Sequence, residues 1–472
     1  MVSLELYRSG TLMTVGFVKK LRHALCLLPL LAGLSPRPGF AQDEVRLTVQ
    51  AKIAPKITIA FQPFVEKSGG VLHPAIRDTI NNVLAQDLKW SSVFSVLDLG
   101  AGVKDSLGRP VPLFTDKEGT ADMELLRKLS AQVLVSGEFD VHDPQVELNL
   151  KLVDVRTRRV ITTKGYAAFD LTLRRVLHRI ADDIVLQMTG DRGIAQSRIA
   201  FISDRSGAPE VYIADYDGLG VRQLTNDGAR KYSPNWAPDG SKIVYTSYRD
   251  GPHEMYILDL QSGKTTKNTF SRQTTLSPRW SPDGKRLVFG LVVEGISKLF
   301  TCRPNGSDLQ PLVTSFGISV EPSWSPLSDR VVYMSDRTEE RHLYRINTDG
   351  SDDQRITFDG KYNASPAWSP RGDRIAFVAG DTLRTEKGLE RIFNIYTCDA
   401  NGQNLMKLTG TRGHQGNNEN PTWSPDGLQI LFSSDRASNG RYSLYIMNWN
   451  GTDGRRIVTQ GNNFTPAWGP RP

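Results

Sequence analysis

Six copies of one short pattern constrain this chain more than any other feature. Pro-x-Trp-small-Pro recurs with its tryptophans at Trp236, Trp280, Trp324, Trp368, Trp423 and Trp468, spaced by 44, 44, 44, 55 and 45 residues. A period of this length marks a repeat architecture whose units bury their apolar faces against one another. The unit around Trp280 reads as strands. Pro278 to Pro282 is a short strand, and Asp283-Gly284 is a tight turn whose glycine accepts positive φ. Lys285 to Leu291 is rich in β-formers, Leu299 to Cys302 starts a third strand that ends at Asn305-Gly306, and Leu309 to Val313 supplies a fourth. Four short strands in about 44 residues is one propeller blade, and the absence of a 3.6-residue period excludes stacked helix pairs.

The two ends of the repeat complement each other. Pro466 to Pro470 is followed by two residues and has no second strand, whereas Arg198 to Arg205 resembles the second strands Arg330 to Arg337 and Gln429 to Arg436 but has no motif before it. Joined, they make one whole blade. The expectation is a six-bladed ring closed by pairing of its N- and C-terminal strands, which leaves no inner sheet edge open. The motif tryptophans are expected to pack between blades. Cys302 and Cys398 take the same place in units two apart, too far for a disulfide, and are expected to be free and buried.

Residues 56–190 do not repeat and read as an α/β domain. Ile57 to Phe64, Val133 to Phe139 and Val146 to Val153 have strand character. Ile76, Ile80, Val83, Leu84 and Leu88 have helical spacing, as do Leu173, Val176, Leu177, Ile180, Ile184 and Met188 before Gly190. Residues 191–197 read as a linker to the propeller at 198–472. Ahead of the domain, 42–55 is an extended segment, readable as an edge strand or as a free strand that adds to a partner's sheet. Residues 1–41 read as a cleaved signal peptide: Lys19, Lys20 and Arg22, an apolar stretch from Ala24 to Leu34, and Gly39-Phe40-Ala41 before the cut. Met1 and Met13 both stand as candidate starts. The apolar stretch is too short to span a bilayer, so a periplasmic protein that does not itself span the membrane is expected. Without the leader, 53 basic residues face 50 acidic ones, which gives no basic footprint for nucleic acid.

Catalytic, cofactor-binding and metal-binding residues are all expected to be absent. The chain has no Gly-x-Ser-x-Gly elbow, no phosphate loop, and no paired histidines at ligand spacing among His23, His73, His142, His178, His253, His342 and His414. The Asp-Gly and Ser-Asp-Arg elements read as turn and hairpin chemistry, with a cation in the channel as the other reading. The leading functional reading is a protein-binding module. The alternatives are a propeller accessory of a peptidase and an envelope glycan-binding protein.

Glu44-Val45-Arg46-Leu47, the α/β domain, the Ser-Pro-Asp-Gly turns after Trp280 and Trp423, and the Pro-Ala-Trp ending at Trp468 together resemble the TolB family of the Tol–Pal envelope system. The resemblance covers nearly all of the chain after the leader. It implies a non-enzymatic periplasmic protein that binds the lipoprotein Pal through its propeller and TolA through its N-terminal segment, and that maintains outer-membrane integrity and constriction during cell division. It also implies that some bacteriocins target such proteins. On this chain the TolA-binding segment would be Glu44, Val45, Arg46 and Leu47. The polar residue before each motif proline, at Ser233, Ser277, Glu321, Ser365, Asn420 and Thr465, is read as starting an inner strand and ringing one channel mouth, where Pal would dock. An 11-residue excess between Trp368 and Trp423, mostly Asp381 to Arg391, is expected beside that mouth.

Overall fold

The computed structural model describes residues 55–67, 72–100, 102–104, 110–111, 121–268, 270, 273–385, 388–411, 416–437 and 440–472. The expected leader and Glu44 to Leu47 lie outside these residues. The first part comprises β1 (Ile57–Phe61), β2 (Val65–Glu66), α1 (Pro74–Trp90), β3 (Phe94–Asp98), β4 (Val103–Lys104), β5 (Pro110–Val111), α2 (Met123–Lys128), β6 (Val133–His142), β7 (Gln145–Asp154), β8 (Val160–Phe169) and α3 (Leu173–Thr189). Its sheet runs β3-β1-β6-β7-β8, with β2 beside β6. Alternation in β7 buries Val146, Leu148, Leu150 and Leu152, while α1 and α3 contribute Ile80, Leu84, Leu88, Leu177, Ile180 and Ile184 to the same core. The strand expected from Ile57 to Phe64 stops at Phe61. Pro63 has no N–H for a ladder, so the chain breaks there and resumes at Val65. α3 ends where expected, at Gly190 with φ 80.

The described residues from 198 onward form six four-stranded antiparallel sheets around a ring. Blade one joins Asn463–Trp468 to Arg198–Ser203, Glu210–Asp215 and Arg222–Gln223. Its closing register pairs Ala467 with Ala200 and Trp468 with Ile199, and the Gly469 N–H donates to the Arg198 carbonyl at 2.7 Å. Blades two to six follow in order, with inner strands Lys231–Trp236, Thr275–Trp280, Ser319–Trp324, Asn363–Trp368 and Asn418–Trp423. Each blade runs from its inner strand outward. In blade three the fourth strand is only Gln310–Pro311, shorter than the Leu309 to Val313 expected: Pro311 removes a donor, and the Leu312 and Val313 N–H groups both turn to the Leu299 carbonyl.

Blade interiors repeat one arrangement. A ring on the second strand stacks on a ring of the third in Phe201–Tyr212, Tyr245–Tyr256 and Phe432–Tyr445, with centroids 5.8 to 5.9 Å apart. The arginine of the Ser-Asp-Arg element caps this stack: Arg205, Arg337 and Arg436 lie over Tyr212, Tyr344 and Tyr445. The aspartate of the same element accepts the backbone N–H just before its own blade's inner strand, at Asn462, Ile318 and Asn417. These residues are therefore consumed by blade structure. Cys302 and Cys398 are free and buried in blades three and five, and burial pushes both thiols up to about 12.

Residues 191–197 are a structured corner. Asp182 of α3 accepts the N–H groups of Ala195 and Gln196, and Ser197 accepts the Trp468 indole N–H at 2.8 Å. The α/β domain packs against blades one and six. Asp87 of α1 accepts from Tyr216 at 2.7 Å and pairs with His178 of α3 at 2.7 Å. Arg174 bridges to Asp217. Gln429 donates to the Trp90 carbonyl and to Ser92, and Arg455 lies over the Trp90 ring at 4.4 Å.

Two measurements test this architecture. Deleting the last ten residues removes the closing strand and should lower thermal stability sharply, with exposed sheet edges driving association; an unchanged melting curve would contradict closure by these residues. The second concerns His178. Burial works against its imidazolium, but the Asp87 carboxylate outweighs that cost and the pKa is raised above 6.5. A raised folded pKa stabilises fully below the unfolded value and ceases to do so as pH rises through the folded one. Unfolding free energy should therefore fall as pH rises above the ordinary imidazole range, and it should fall more in the native chain than in His178→Gln.

Candidate protein-binding site

The antiparallel order fixes which loops lie on which face of the ring. Inner strands run toward the Asp-Gly turns, second strands return, and third strands run forward again. The contacts to the α/β domain come from the third-strand ends at Tyr216 and Asn448 and from the second-strand start at Gln429. All three belong to the face that carries the Asp-Gly turns. The other face holds the starts of the inner strands and the hairpins between second and third strands. The α/β domain does not reach it through any hydrogen bond or ion pair among the described residues.

The six residues expected at the starts of the inner strands are not there. Ser233, Ser277, Glu321, Ser365, Asn420 and Thr465 each stand third in a six-residue strand. Each has positive φ, between 45 and 55 degrees, and each is half-buried. The ladder shifts at this point in every blade, for example between Tyr232 and Asn235, so two inner-strand residues oppose one on the second strand. The reason lies in the motif: the following proline has no N–H, and a bulge is where a strand tolerates that loss. The left-handed backbone costs a residue with a Cβ roughly 1–2 kcal/mol. The positions actually at the strand starts are Lys231, Thr275, Ser319, Asn363, Asn418 and Asn463, all polar and all buried. Several tie one blade to the next: the Lys231, Thr275 and Asn463 N–H groups donate to the carbonyls of Pro209, His253 and Tyr442. Sequence reading missed them, although they form as regular a polar series as the residues it chose.

The charges around the channel are uneven. Glu321 accepts the Ser365 N–H at 2.7 Å, linking blades four and five. Glu419 accepts from Tyr442 at 2.8 Å, and burial raises its carboxyl. Desolvation lowers Arg279 to about 10, against the attraction of Glu321. In blade two, His253 stacks on Tyr248 at 4.7 Å and meets Tyr232 edge-on; burial lowers its imidazole to about 4, so it is neutral. The residues 381–391 extend a hairpin of blade five, Arg374–Thr385 paired with Gly388–Asp399, on this same face. At its base Asp381 accepts from Asn394 and Tyr396 and pairs with Lys407.

One histidine and two carboxylates do converge elsewhere. His178, Asp215 and Asp217 bring ligand atoms within 4.8 Å of one another. Arg174 already neutralises Asp217 and Asp87 holds the His178 Nδ1, so the chemistry is that of a buried ion-pair network between the domains. Local motif searches could not find it, because Asp87, His178 and Asp217 are far apart in sequence.

Residues 45–161 match the family model described as the TolB amino-terminal domain, and 185–392 match that of the TolB beta propeller domain. The chain belongs to the TolB family. A Tol-Pal system protein TolB from Syntrophotalea carbinolica is 35% identical over 220 residues, 47% of this chain and 49% of that protein. One from Geobacter sulfurreducens is 33% identical over 224 residues, 47% of this chain and 50% of the relative. These alignments thus span about half the length of the curated relatives. The crystal structure of TolB from Acinetobacter baumannii shares the fold, with a TM-score of 0.71 at 22% identity over 89% of this chain and 98% of that one. No helix among the described residues is long and apolar enough to cross a membrane.

The bulge makes a measurable claim about this TolB propeller. Thr465 has φ 45 and a buried hydroxyl oxygen without a partner. Thr465→Gly relieves roughly 1–2 kcal/mol of backbone strain and costs roughly 0.5–1 in chain entropy. Denaturant unfolding should therefore show a net gain of about 0.5 kcal/mol.

Proposed function

We propose that this chain is a non-enzymatic, exported protein-binding component of the Tol–Pal envelope system. In this reading the channel mouth opposite the α/β domain receives the lipoprotein Pal, and the segment 42–55, through Glu44, Val45, Arg46 and Leu47, receives TolA. The protein then works in the periplasm to maintain outer-membrane integrity and constriction during division. One observation carries the reading: the chain's own α/β domain occupies one face of the ring. The opposite face carries an extended hairpin and an uneven set of buried charges, and below it lie six strained, half-buried non-glycine residues, one per blade.

The experiment is a binding assay with purified Pal and TolA. Ser277→Trp and Glu321→Trp should each weaken Pal capture about tenfold or more, with the melting temperature checked because Glu321 also bonds to Ser365. Asp239→Ala, Asp283→Ala and Asp426→Ala, in turns of the other face, should have little effect. Deleting residues 42–50 should abolish TolA capture and spare Pal. The reverse ranking of the two faces would move the Pal site, and full TolA capture by the truncated chain would remove the N-terminal segment from the proposal.

A further inference from the structure

Six motif tryptophans occupy equivalent places, and five of their indole N–H groups are used inside the fold. Trp236, Trp324 and Trp423 donate to the carbonyls of Ala467, Arg279 and Ala367 in the neighbouring blade, at 2.9 to 3.1 Å. Trp368 donates to Gly372 and Trp468 to Ser197. Trp280 departs from the series. Its Nε1 is shielded from solvent and has no partner among the described residues, and the equivalent carbonyl, that of Asn235, does not accept it. Of the six it is also the one that is not buried overall. A buried donor left unpaired is costly, and it calls for an explanation that the repeat itself does not supply.

Trp280 lines a cleft of about 500 Å³ between blades two and three, on the face of the Asp-Gly turns. Asp239, Asp283, Lys242, Asn305 and Pro238 share this lining. Asp239 spends its Oδ1 on the N–H and hydroxyl of Ser241, and no hydrogen bond is made to its Oδ2 among the described residues. Asp283 spends its Oδ1 on Ser281 and the Lys285 N–H, and its Oδ2 pairs with the Lys285 ammonium at 3.5 Å. Both carboxyls lie below their ordinary range: the Ser241 N–H leads for Asp239, while for Asp283 these hydrogen bonds outweigh the burial cost. Both are ionised acceptors. Lys242, which also pairs with Asp259 at 3.5 Å, and the Asn305 amide are donors on the same wall.

This combination selects among ligand classes. Two carboxylates repel an anion, and Lys242 and Lys285 beside them disfavour a simple cation. The charged rim penalises a purely apolar ligand, which would strip water from it without return. A neutral ligand with many hydroxyls satisfies acceptors and donors together and lays its C–H face on an aromatic platform. We propose that the cleft at Trp280 is a saccharide-binding site, with the Trp280 indole as platform, Asp239 and Asp283 accepting from sugar hydroxyls, and an acetamido or hydroxyl oxygen drawing the unpaired indole N–H outward. This site is separate from the channel mouth assigned to Pal and does not depend on that assignment.

The test uses the full chain and N,N′-diacetylchitobiose as probe, followed by tryptophan fluorescence and by NMR of the indole N–H signals. Binding should be saturable and should shift one indole resonance, the one missing in Trp280→Phe. Trp280→Phe and Asp283→Asn should each weaken binding about tenfold. Trp324→Phe removes an indole donor that the fold already uses, so it should lower the melting temperature and leave binding unchanged. If Trp280→Phe fails to fold, Asp239→Ala and Asn305→Ala carry the test. Absence of saturation up to the solubility limit would overturn the proposal. So would binding indifferent to the variants that fold, or stronger binding of N-acetyl-glycine amide or hexanol than of the disaccharide.

Discussion

Closure of the ring by the last strand is the contact on which the rest of the propeller depends. Trp468 beside Ile199, with the Gly469 N–H on the Arg198 carbonyl, completes blade one. The same strand contacts the inner strands of blades two and six, so those two blades keep both neighbours only because this one is whole. The Trp468 indole also reaches Ser197 at the corner that leads in from the α/β domain. One strand therefore closes the ring and anchors the domain junction, and its loss would leave two sheet edges and a detached corner.

The same closure gives the ring two unlike faces. The α/β domain seals part of one with a buried set of charges, Asp87, His178, Arg174 and Asp217, that is neutral only as a group. Buried ion pairs of this kind add little to stability compared with apolar packing, but removing one member leaves an uncompensated charge, so they hold one relative placement of their partners. The opposite face keeps its hairpins, including the long one in blade five. Polarity between the faces thus arises from docking, on a ring whose blades are nearly alike.

What could be read from the sequence was what repeats or alternates. The tryptophan spacing revealed the blade count and the split blade, strand-like composition revealed β6, and a period-two pattern revealed β7. β8 escaped because both its faces are largely exposed and Gly165 interrupts it, so it has no apolar face to detect. α2 is six residues long, too short for a period. The bulge escaped for a different reason: its cause, a proline lacking a donor, is local and visible, but its backbone conformation appears only once the second strand sets the register. The Asp87–His178 pair was invisible because its residues are 91 apart and meet only when α1 and α3 pack. Trp280 was read correctly as one of six and wrongly as equivalent to the other five, since sequence periodicity says where a side chain stands and nothing about what its N–H finds there.

A ring that the strand Asn463–Trp468 completes has a consequence for its assembly. The pairing of Asn463–Trp468 with Arg198–Ser203 spans more than half the chain, and contacts so distant in sequence form late and slowly. While the C-terminus is still held by whatever synthesises or threads it, blade one lacks its inner strand, and Ile199 to Ile202 offers an unpaired edge. Up to that moment the chain is a row of blades with two open ends.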